Sequence, residues 1–127
     1  MNLEDQCISL EYAKRLKELG VRQKSLYYIT SKNNDVVIVY SPNESLNEKW
    51  YSAFTVAELG VMLPHSIRNS ELYYKKEVIE GKVFEISYHH YNRKGTLIRD
   101  MDIVVNAKEA DARAIMLIHL IENNYTK

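Results

Sequence analysis

The pattern between residues 70 and 105 constrains the fold of this chain more than any other feature. Three runs have the composition of β-strands, and they are Ser70–Ile79, Lys82–Tyr91 and Thr96–Val105. The turns between them are only Glu80-Gly81 and Asn92–Gly95, and turns this short join antiparallel neighbours. The sequence therefore predicts three consecutive antiparallel strands in the second half of the chain.

The first half predicts a helix followed by a hairpin. Apolar residues at helical spacing indicate a helix over Ser9–Leu19, with Ser9 as its cap and Gly20 just past its end. Two β-rich runs, Ser25–Thr30 and Val36–Tyr40, then predict a hairpin. The segment after them, residues 41–49, is a polar loop.

Two capping boxes predict two further helices. Thr55 with Glu58 opens a short helix that cannot extend past Leu63, because a proline follows. Asn106 with Glu109 opens a last helix that continues to about residue 123. The chain therefore has short helical segments in its middle and at its end.

The order of elements predicts the fold class. It is helix, two strands, short helix, three strands and helix, with hairpins dominating and no repeated crossover. This order favours an α+β fold. We expect an antiparallel sheet of about five strands packed with an N-terminal helix, a short middle helix and a C-terminal helix, in a single domain over residues 1–127.

Composition narrows the classes of function. Seventeen Lys and Arg balance seventeen Asp and Glu, so no net charge draws the chain to nucleic acid, which is disfavoured as a partner. The single cysteine, Cys7, excludes an intramolecular disulfide and the cysteine-rich zinc patterns. No apolar run reaches the roughly 20 residues of a membrane span, and the N-terminus lacks a signal-peptide pattern. We therefore expect a cytoplasmic protein with no membrane partner.

Tyrosine is strongly over-represented among the aromatic residues. The chain has ten Tyr, against two Phe and one Trp. A tyrosine ring with its hydroxyl suits a recognition surface. An AT-biased gene would give the same excess without a functional reason, and composition alone does not choose between the two explanations.

The two turns of the last three strands also predict their register. The Glu80-Gly81 turn places Tyr73 opposite Tyr88, and a symmetric turn at Asn92–Gly95 places Tyr88 opposite Arg99. The same face carries the predicted core residues Phe84, Ile86, Leu97, Met101 and Ile103.

The row formed by Tyr73, Tyr88 and Arg99 is the candidate binding site. Two rings and a guanidinium can stack a planar ligand and neutralise a phosphate. Arg93 in the adjoining turn adds positive charge, and His90 completes the predicted ligand-binding set. The alternative is a cross-strand tyrosine pair packed under a helix, with Arg99 reaching out to water.

Signals for catalysis are weaker. His89 and His90 are adjacent, and neighbours on a strand point to opposite faces, so the two cannot readily bind one metal ion. Asp100 and Asp102 could bind a divalent cation, although a solvated charged face explains them more simply. The sequence has no nucleophile elbow, P-loop or dinucleotide motif. It predicts no catalytic residue, metal or cofactor, and the enzymatic alternative is a metal-dependent hydrolase that uses either His89 or His90 with the carboxylates of Asp100 and Asp102.

Three segments resemble parts of small proteins encoded by bacteriophages and prophages. They are Leu10–Gln23 (LEYAKRLKELGVRQ), Ser52–Pro64 (SAFTVAELGVMLP) and Ala110–Asn123 (ADARAIMLIHLIEN). The similarity lies in apolar and charged scaffold residues and includes no catalytic motif, so it implies origin more than activity. Phage accessory proteins of this size often act by binding, including inhibitors of host defence and proteins that sequester nucleotide signals.

Together these observations predict a non-enzymatic binding protein of phage or prophage origin, acting in the cytoplasm of the host. Its expected ligand is a small nucleotide-like signal, which would make it a counter-defence protein. Two alternatives stay open: an interaction module that inhibits a host protein, and the metal-dependent hydrolase. The sequence also leaves room for a homo-oligomer that builds its pocket between subunits.

Overall fold

The structure is a computed structural model that describes residues 3–32, 35–40, 50–69, 71–91, 94 and 97–125. At residues 32, 35, 40, 68–69, 71–72 and 97–102 the backbone alone is described. The predicted α+β class is confirmed, because the described residues form helices at both ends and two antiparallel sheets. The predicted polar loop at residues 41–49 lies outside the described residues.

The helices lie close to their predicted positions. Gly20 follows the second helix with φ of +87°, a left-handed conformation that glycine adopts without a steric penalty. The third helix opens with the predicted capping box, in which Glu58 N donates to Thr55 Oγ1 at 3.2 Å and Thr55 N donates to Glu58 Oε1 at 3.0 Å. The helices are α1 (Leu3–Gln6), α2 (Leu10–Glu18), α3 (Val56–Met62) and α4 (Glu109–Glu122), of which α1 was not predicted.

Two predicted caps are wrong in detail. Ser9 is the N-cap residue of α2, but its hydroxyl does not cap that helix. It donates to Asp111 Oδ2 at 2.6 Å, a charge-assisted hydrogen bond to a buried carboxylate of α4. The N-cap of α4 is Lys108 rather than Asn106. The side-chain oxygen of Asn106 accepts from Lys108 N at 2.8 Å and closes a turn just before the helix.

The strands form two sheets rather than the one that was predicted. Their order is β2-β1-β3 in the first sheet and β4-β5-β6-β7 in the second. The two additional strands, β3 and β4, are only two and four residues long and give no recognisable alternation in the sequence. The strands are β1 (Tyr27–Lys32), β2 (Asp35–Tyr40), β3 (Tyr51–Ser52), β4 (Ser66–Asn69), β5 (Glu71–Glu80), β6 (Val83–Tyr91) and β7 (Leu97–Asn106).

The predicted register between β5 and β6 is wrong by two residues. Glu80 pairs with Val83, so the turn residues are Gly81 and Lys82 rather than Glu80 and Gly81. Gly81 has φ of +62°, which a two-residue hairpin turn requires. As a result Tyr88 lies opposite Lys75 and not opposite Tyr73. A shift of two residues nevertheless keeps every side chain on its predicted face.

The predicted register between β6 and β7 is also wrong, because the ladder has two irregularities. They fall between Ile86 and Tyr88 and between His90 and Tyr91. Tyr88 therefore pairs with Met101. An extra residue in one strand reverses the faces beyond it. Ile103, predicted to lie in the core, is 50% exposed, while its neighbour Val104 packs against the core instead.

The core lies between α4 and the surrounding elements. This helix packs against β6, β7 and the other three helices. Polar contacts at both sides fix its position: Asp111 accepts from Ser9 N at 2.7 Å, and Arg113 pairs with Glu77 of β5 at 3.1 Å. The largest fully buried side chains include Tyr88, Phe54, Ile8, Leu16, Ile29, Leu59, Ile86, Met116 and Leu120.

Candidate functional site

Tyr73 and Tyr88 do not form an open platform. Tyr88 is completely buried, and its hydroxyl donates to the carbonyl of Pro64 at 2.7 Å. Burial raises the pKa of its phenol above the ordinary 10.0, and the nearby Glu77 carboxylate acts in the same direction. Tyr73 is 5% exposed, with its ring centroid 5.8 Å from that of His90. The two rings are core residues, but they are not the cross-strand pair of the packed alternative, since Tyr88 lies opposite Lys75.

His90, rather than Tyr88, is the residue of the predicted ligand-binding set that lies beside Tyr73 and opposite Arg99. The backbone of Arg99 pairs with that of His90, while its side chain and all of Arg93 lie outside the described part of the chain. His90 is half-buried. A ligand-binding role for Arg93, Arg99 and His90 stays a prediction.

His89 lies on the face of β6 opposite to Tyr88, together with Ser87. Ser87 is completely buried and its Oγ lies 2.5 Å from His89 Nε2, so substrate cannot reach this hydroxyl. Asp100 is the backbone partner of His89 on β7. Within the described residues, no group of three or more His, Cys, Asp or Glu is placed to hold a metal ion. The described geometry therefore gives the hydrolase hypothesis no support.

Another tyrosine, Tyr51, lies beside two cations. The Lys17 Nζ is 5.0 Å from the centroid of the Tyr51 ring, and the Lys14 Nζ is 5.9 Å from it. The two lysines are three residues apart on α2, so they share one side of that helix and approach β3 together. A hollow of about 300 Å³ is lined by Lys14, Lys17, Glu18 and Tyr51. We call Lys14, Lys17 and Tyr51 the tyrosine–lysine site.

Among the described residues that line this hollow, two lysines stand against one carboxylate, that of Glu18. Glu18 pairs with Arg15 at 3.1 Å, and Arg15 also pairs with Glu122 of α4 at 2.9 Å. These hydrogen-bonded carboxylates, Glu122 foremost, raise the pKa of the Arg15 guanidinium. Lys17 additionally donates to the carbonyl of Trp50 at 3.3 Å, which holds its ammonium beside β3. The tyrosine–lysine site therefore presents a ring and a local positive charge.

A second hollow, of about 370 Å³, lies where the end of α2 meets α3 and α4. Its size falls within the range of small-ligand pockets. Apart from Arg22 its lining is apolar, and neither Arg22 nor the exposed Lys24 pairs with a carboxylate of the described residues. We call this hollow the helix groove, and its lining residues are Leu19, Gly20, Val21, Arg22, Met62, Leu117 and Ile121.

The sequence patterns missed both hollows. Lys14 and Tyr51 are far apart in the sequence, and the strand that carries Tyr51 is too short to be recognised. The one available signal was the pair of lysines at helical spacing, which also describes an ordinary solvated helix face. The helix groove gave no signal, since its apolar residues are distributed over three separate segments.

Comparisons of this chain with protein-family models, with curated proteins and with solved structures found no match. Across the described residues, no helix is both long enough and apolar enough to cross a membrane.

Proposed function

We propose that this protein is a non-enzymatic binding protein that holds a small, phosphate-bearing, nucleotide-like ligand at the tyrosine–lysine site. The observation that carries the proposal is the convergence of two ammonium groups on one tyrosine ring, at 5.0 and 5.9 Å, in an open hollow. An aromatic face stacks a base, and ammonium groups neutralise a phosphate. The site thus supplies both parts that a nucleotide needs.

Electrostatics favours an anion at this position. Two like charges close together repel each other, and the negative face of the Tyr51 ring offsets only part of that repulsion. A bound phosphate would be attracted by both Lys14 and Lys17 and would remove the repulsion. The hollow of about 300 Å³ is at the lower end of ligand-sized pockets, which suits one nucleotide unit better than a polymer.

The proposed biological role is sequestration. The protein would hold a nucleotide signal and release it unchanged, as a phage- or prophage-encoded counter-defence protein in the host cytoplasm. Support for this origin comes from the resemblance of Leu10–Gln23, Ser52–Pro64 and Ala110–Asn123 to small phage proteins. The first of these segments contains both lysines of the site, and the second begins one residue after Tyr51.

Titration with cyclic and linear mononucleotides, and with inorganic phosphate, tests the proposal. Trp50 is the one tryptophan and its carbonyl accepts from Lys17, so its fluorescence should respond to occupancy of the site. We expect saturable binding of at least one nucleotide and its recovery intact after the protein is denatured. Loss of a stacked ring costs about 1–3 kcal/mol, so Tyr51→Leu should weaken binding at least about fivefold.

Controls separate this site from general effects. Lys17→Gln should also weaken binding, whereas Tyr74→Leu, at a half-exposed tyrosine of β5, should leave it unchanged. Cleavage of the nucleotide that a chelator abolishes would overturn sequestration in favour of the hydrolase. Binding of no nucleotide at millimolar concentration would overturn the small-ligand proposal.

The helix groove supports a second candidate, docking of a protein segment. An apolar hollow lined by Arg22, with Lys24 two residues further along the chain and neither cation paired with a carboxylate of the described residues, fits a segment with aliphatic anchors and acidic flanks. A synthetic peptide with leucine anchors and flanking glutamates is a suitable probe. Binding that Met62→Lys abolishes and Tyr51→Leu leaves intact would support this candidate. A peptide that binds equally to both variants, or to neither variant nor the parent protein, would refute it.

A further inference from the structure

Near the Gly81-Lys82 turn, the face of β5, β6 and β7 that points away from α4 carries aliphatic side chains exposed to solvent. The opposite face of β6 holds the buried Phe84 and Ile86. On the outward face, Val83 is 40%, Ile103 is 50% and Val105 is 56% exposed, whereas Ser87, farther along β6 on the same face, is buried. We call the outward residues Lys76, Val78, Glu80, Val83, Glu85, Ile103 and Val105 the open sheet face.

The strand register gathers these side chains into one patch. Val78, Glu85 and Val105 are direct neighbours across β5, β6 and β7, and Glu80 pairs with Val83 in the next row. A shallow hollow of about 300 Å³ lies among them. The solvent face of an antiparallel sheet is normally polar, so aliphatic residues on three neighbouring strands indicate a surface that is covered in use.

The irregularity in β6–β7 pairing creates this patch. Without the register shift between Ile86 and Tyr88, Ile103 would lie on the core face, as its alternation with Met101 predicts. The shift turns Ile103 and Val105 outward together. Bulges often re-aim side chains at functional surfaces.

We propose that the open sheet face binds a second copy of this chain, so that two protomers pack sheet to sheet. Charges around the aliphatic patch are the reason for this choice of partner. Lys76 and Glu80 are exposed and Glu85 is half-buried, and none of the three forms an ion pair with a described residue. Across a twofold axis, Lys76 of the first copy can pair with Glu85 of the second, and Glu85 of the first copy with Lys76 of the second.

The open sheet face carries both positive and negative side chains, so it matches a copy of this chain better than a partner whose surface has charges of one sign. A strongly acidic or basic partner would meet repulsion at either Lys76 or the two glutamates. The net charge of zero also means that two copies do not repel each other at long range. The inference is independent of the ligand proposed for the tyrosine–lysine site.

The size of the patch predicts a weak dimer. Three strands about 4.8 Å apart and six residues at about 3.4 Å each give a face of roughly 14 by 20 Å, or about 300 Å² per copy. Stable interfaces bury about 800 Å² per partner. We therefore expect a reversible dimer that is populated at tens to hundreds of micromolar protein.

Sedimentation velocity of the full chain from about 10 to 500 micromolar tests the dimer. The average mass should rise from 14.9 kDa towards twice that value. Val105→Lys should weaken association at least tenfold, because it places ammonium groups inside the apolar contact. Val61→Lys is the matched control, since Val61 is 88% exposed on α3 and lies outside the patch. A constant mass, or equal effects of the two substitutions, would overturn the proposal.

A charge exchange keeps the test decisive if Val105→Lys impairs folding. Lys76→Glu and Glu85→Lys should each weaken self-association, while an equimolar mixture of the two variants should associate as the parent does. Failure of the mixture to associate would refute the Lys76–Glu85 pairing. Growth into species larger than a dimer would also refute it, in favour of pairing along the edge of β7.

Discussion

The Tyr88→Phe substitution isolates one hydroxyl in the centre of the core. It keeps the buried ring and removes the hydrogen bond to the carbonyl of Pro64, which is 2.7 Å long. The carbonyl then loses its partner in a site that is only half-buried. An unsatisfied buried acceptor costs about 1–3 kcal/mol, and partial access of water to Pro64 places the expected loss near 1.5 kcal/mol.

This loss is large enough to measure by urea unfolding. With a slope of about 2 kcal/mol per molar urea, the midpoint should fall by about 0.75 M. The thermal midpoint should fall by about 6 °C, at roughly 4 °C for each kcal/mol in a chain of this length. Tyr73→Phe is the matched control, because its ring is similarly buried while its hydroxyl makes no hydrogen bond with the described residues.

The pH dependence of the same pair provides an independent check. The pKa of Tyr88 is raised above its unfolded value of 10.0, so below pH 10 the phenol is neutral in both states and the parent protein keeps its full stability. Above pH 10 the phenol ionises first in the unfolded state, and this ionisation lowers the stability of the parent protein. The stability difference between the parent and Tyr88→Phe should therefore shrink as pH rises from 9 to 11. Equal midpoints for Tyr88→Phe and Tyr73→Phe at pH 7 would refute the reasoning.

Three further predictions each concern a single residue or hydrogen bond. Burial, the largest cause, raises the pKa of the Cys7 thiol from 9.0 to about 11. Iodoacetamide at pH 8.5 should therefore modify the native protein at least about 50-fold more slowly than the urea-unfolded protein, because the thiolate is scarcer and the buried sulfur is inaccessible, and equal rates would contradict this. Asp111→Ala should lower the free energy of unfolding by about 2–3 kcal/mol and Ser9→Ala by less, since the backbone bond remains; equal losses in urea titrations would argue against it. Gly81→Ala should cost about 1 kcal/mol through backbone strain alone, because no atom of the described residues lies within 4 Å of its added Cβ, and an unchanged urea midpoint would contradict this.

Local signals predicted much of the fold. The capping box of Thr55 and Glu58 and the helix-ending Gly20 depend on residues within one turn, so the sequence contains the whole interaction. Long strands with short turns were recognised for the same reason. Ser9 shows where local signals fail. Its hydroxyl donates to Asp111, and only the folded chain brings Asp111 near.

The register errors have a physical origin. A turn at Glu80-Gly81 and one at Gly81-Lys82 differ by a single position, and both place the glycine where φ is positive. The irregularity near Ile103 shows in the sequence only as the apolar run Ile103-Val104-Val105, which breaks the alternation but does not say where the extra residue lies. The predicted row of Tyr73, Tyr88 and Arg99 depended on both turns, so it was the most sensitive part of the prediction.

The tyrosine–lysine site could not be found from spacing. Lys14 and Lys17 are ordinary residues for an exposed helix face. Tyr51 comes near them only because β3 packs beside α2. Tertiary packing, which joins distant parts of the chain, therefore decides which of the ten tyrosines are accessible to a ligand.

The bond between Ser9 and Asp111 also has a consequence for synthesis of the protein. Its two partners are 102 residues apart, so Ser9 cannot form this bond until α4 has been synthesised. At about 5–20 residues per second, a ribosome needs roughly 5–20 s to make the intervening chain. During that interval α2 exists without the helix α4 on which it packs. The protein should therefore acquire its native core only after translation is nearly complete, and truncation before α4 should yield a chain that does not fold.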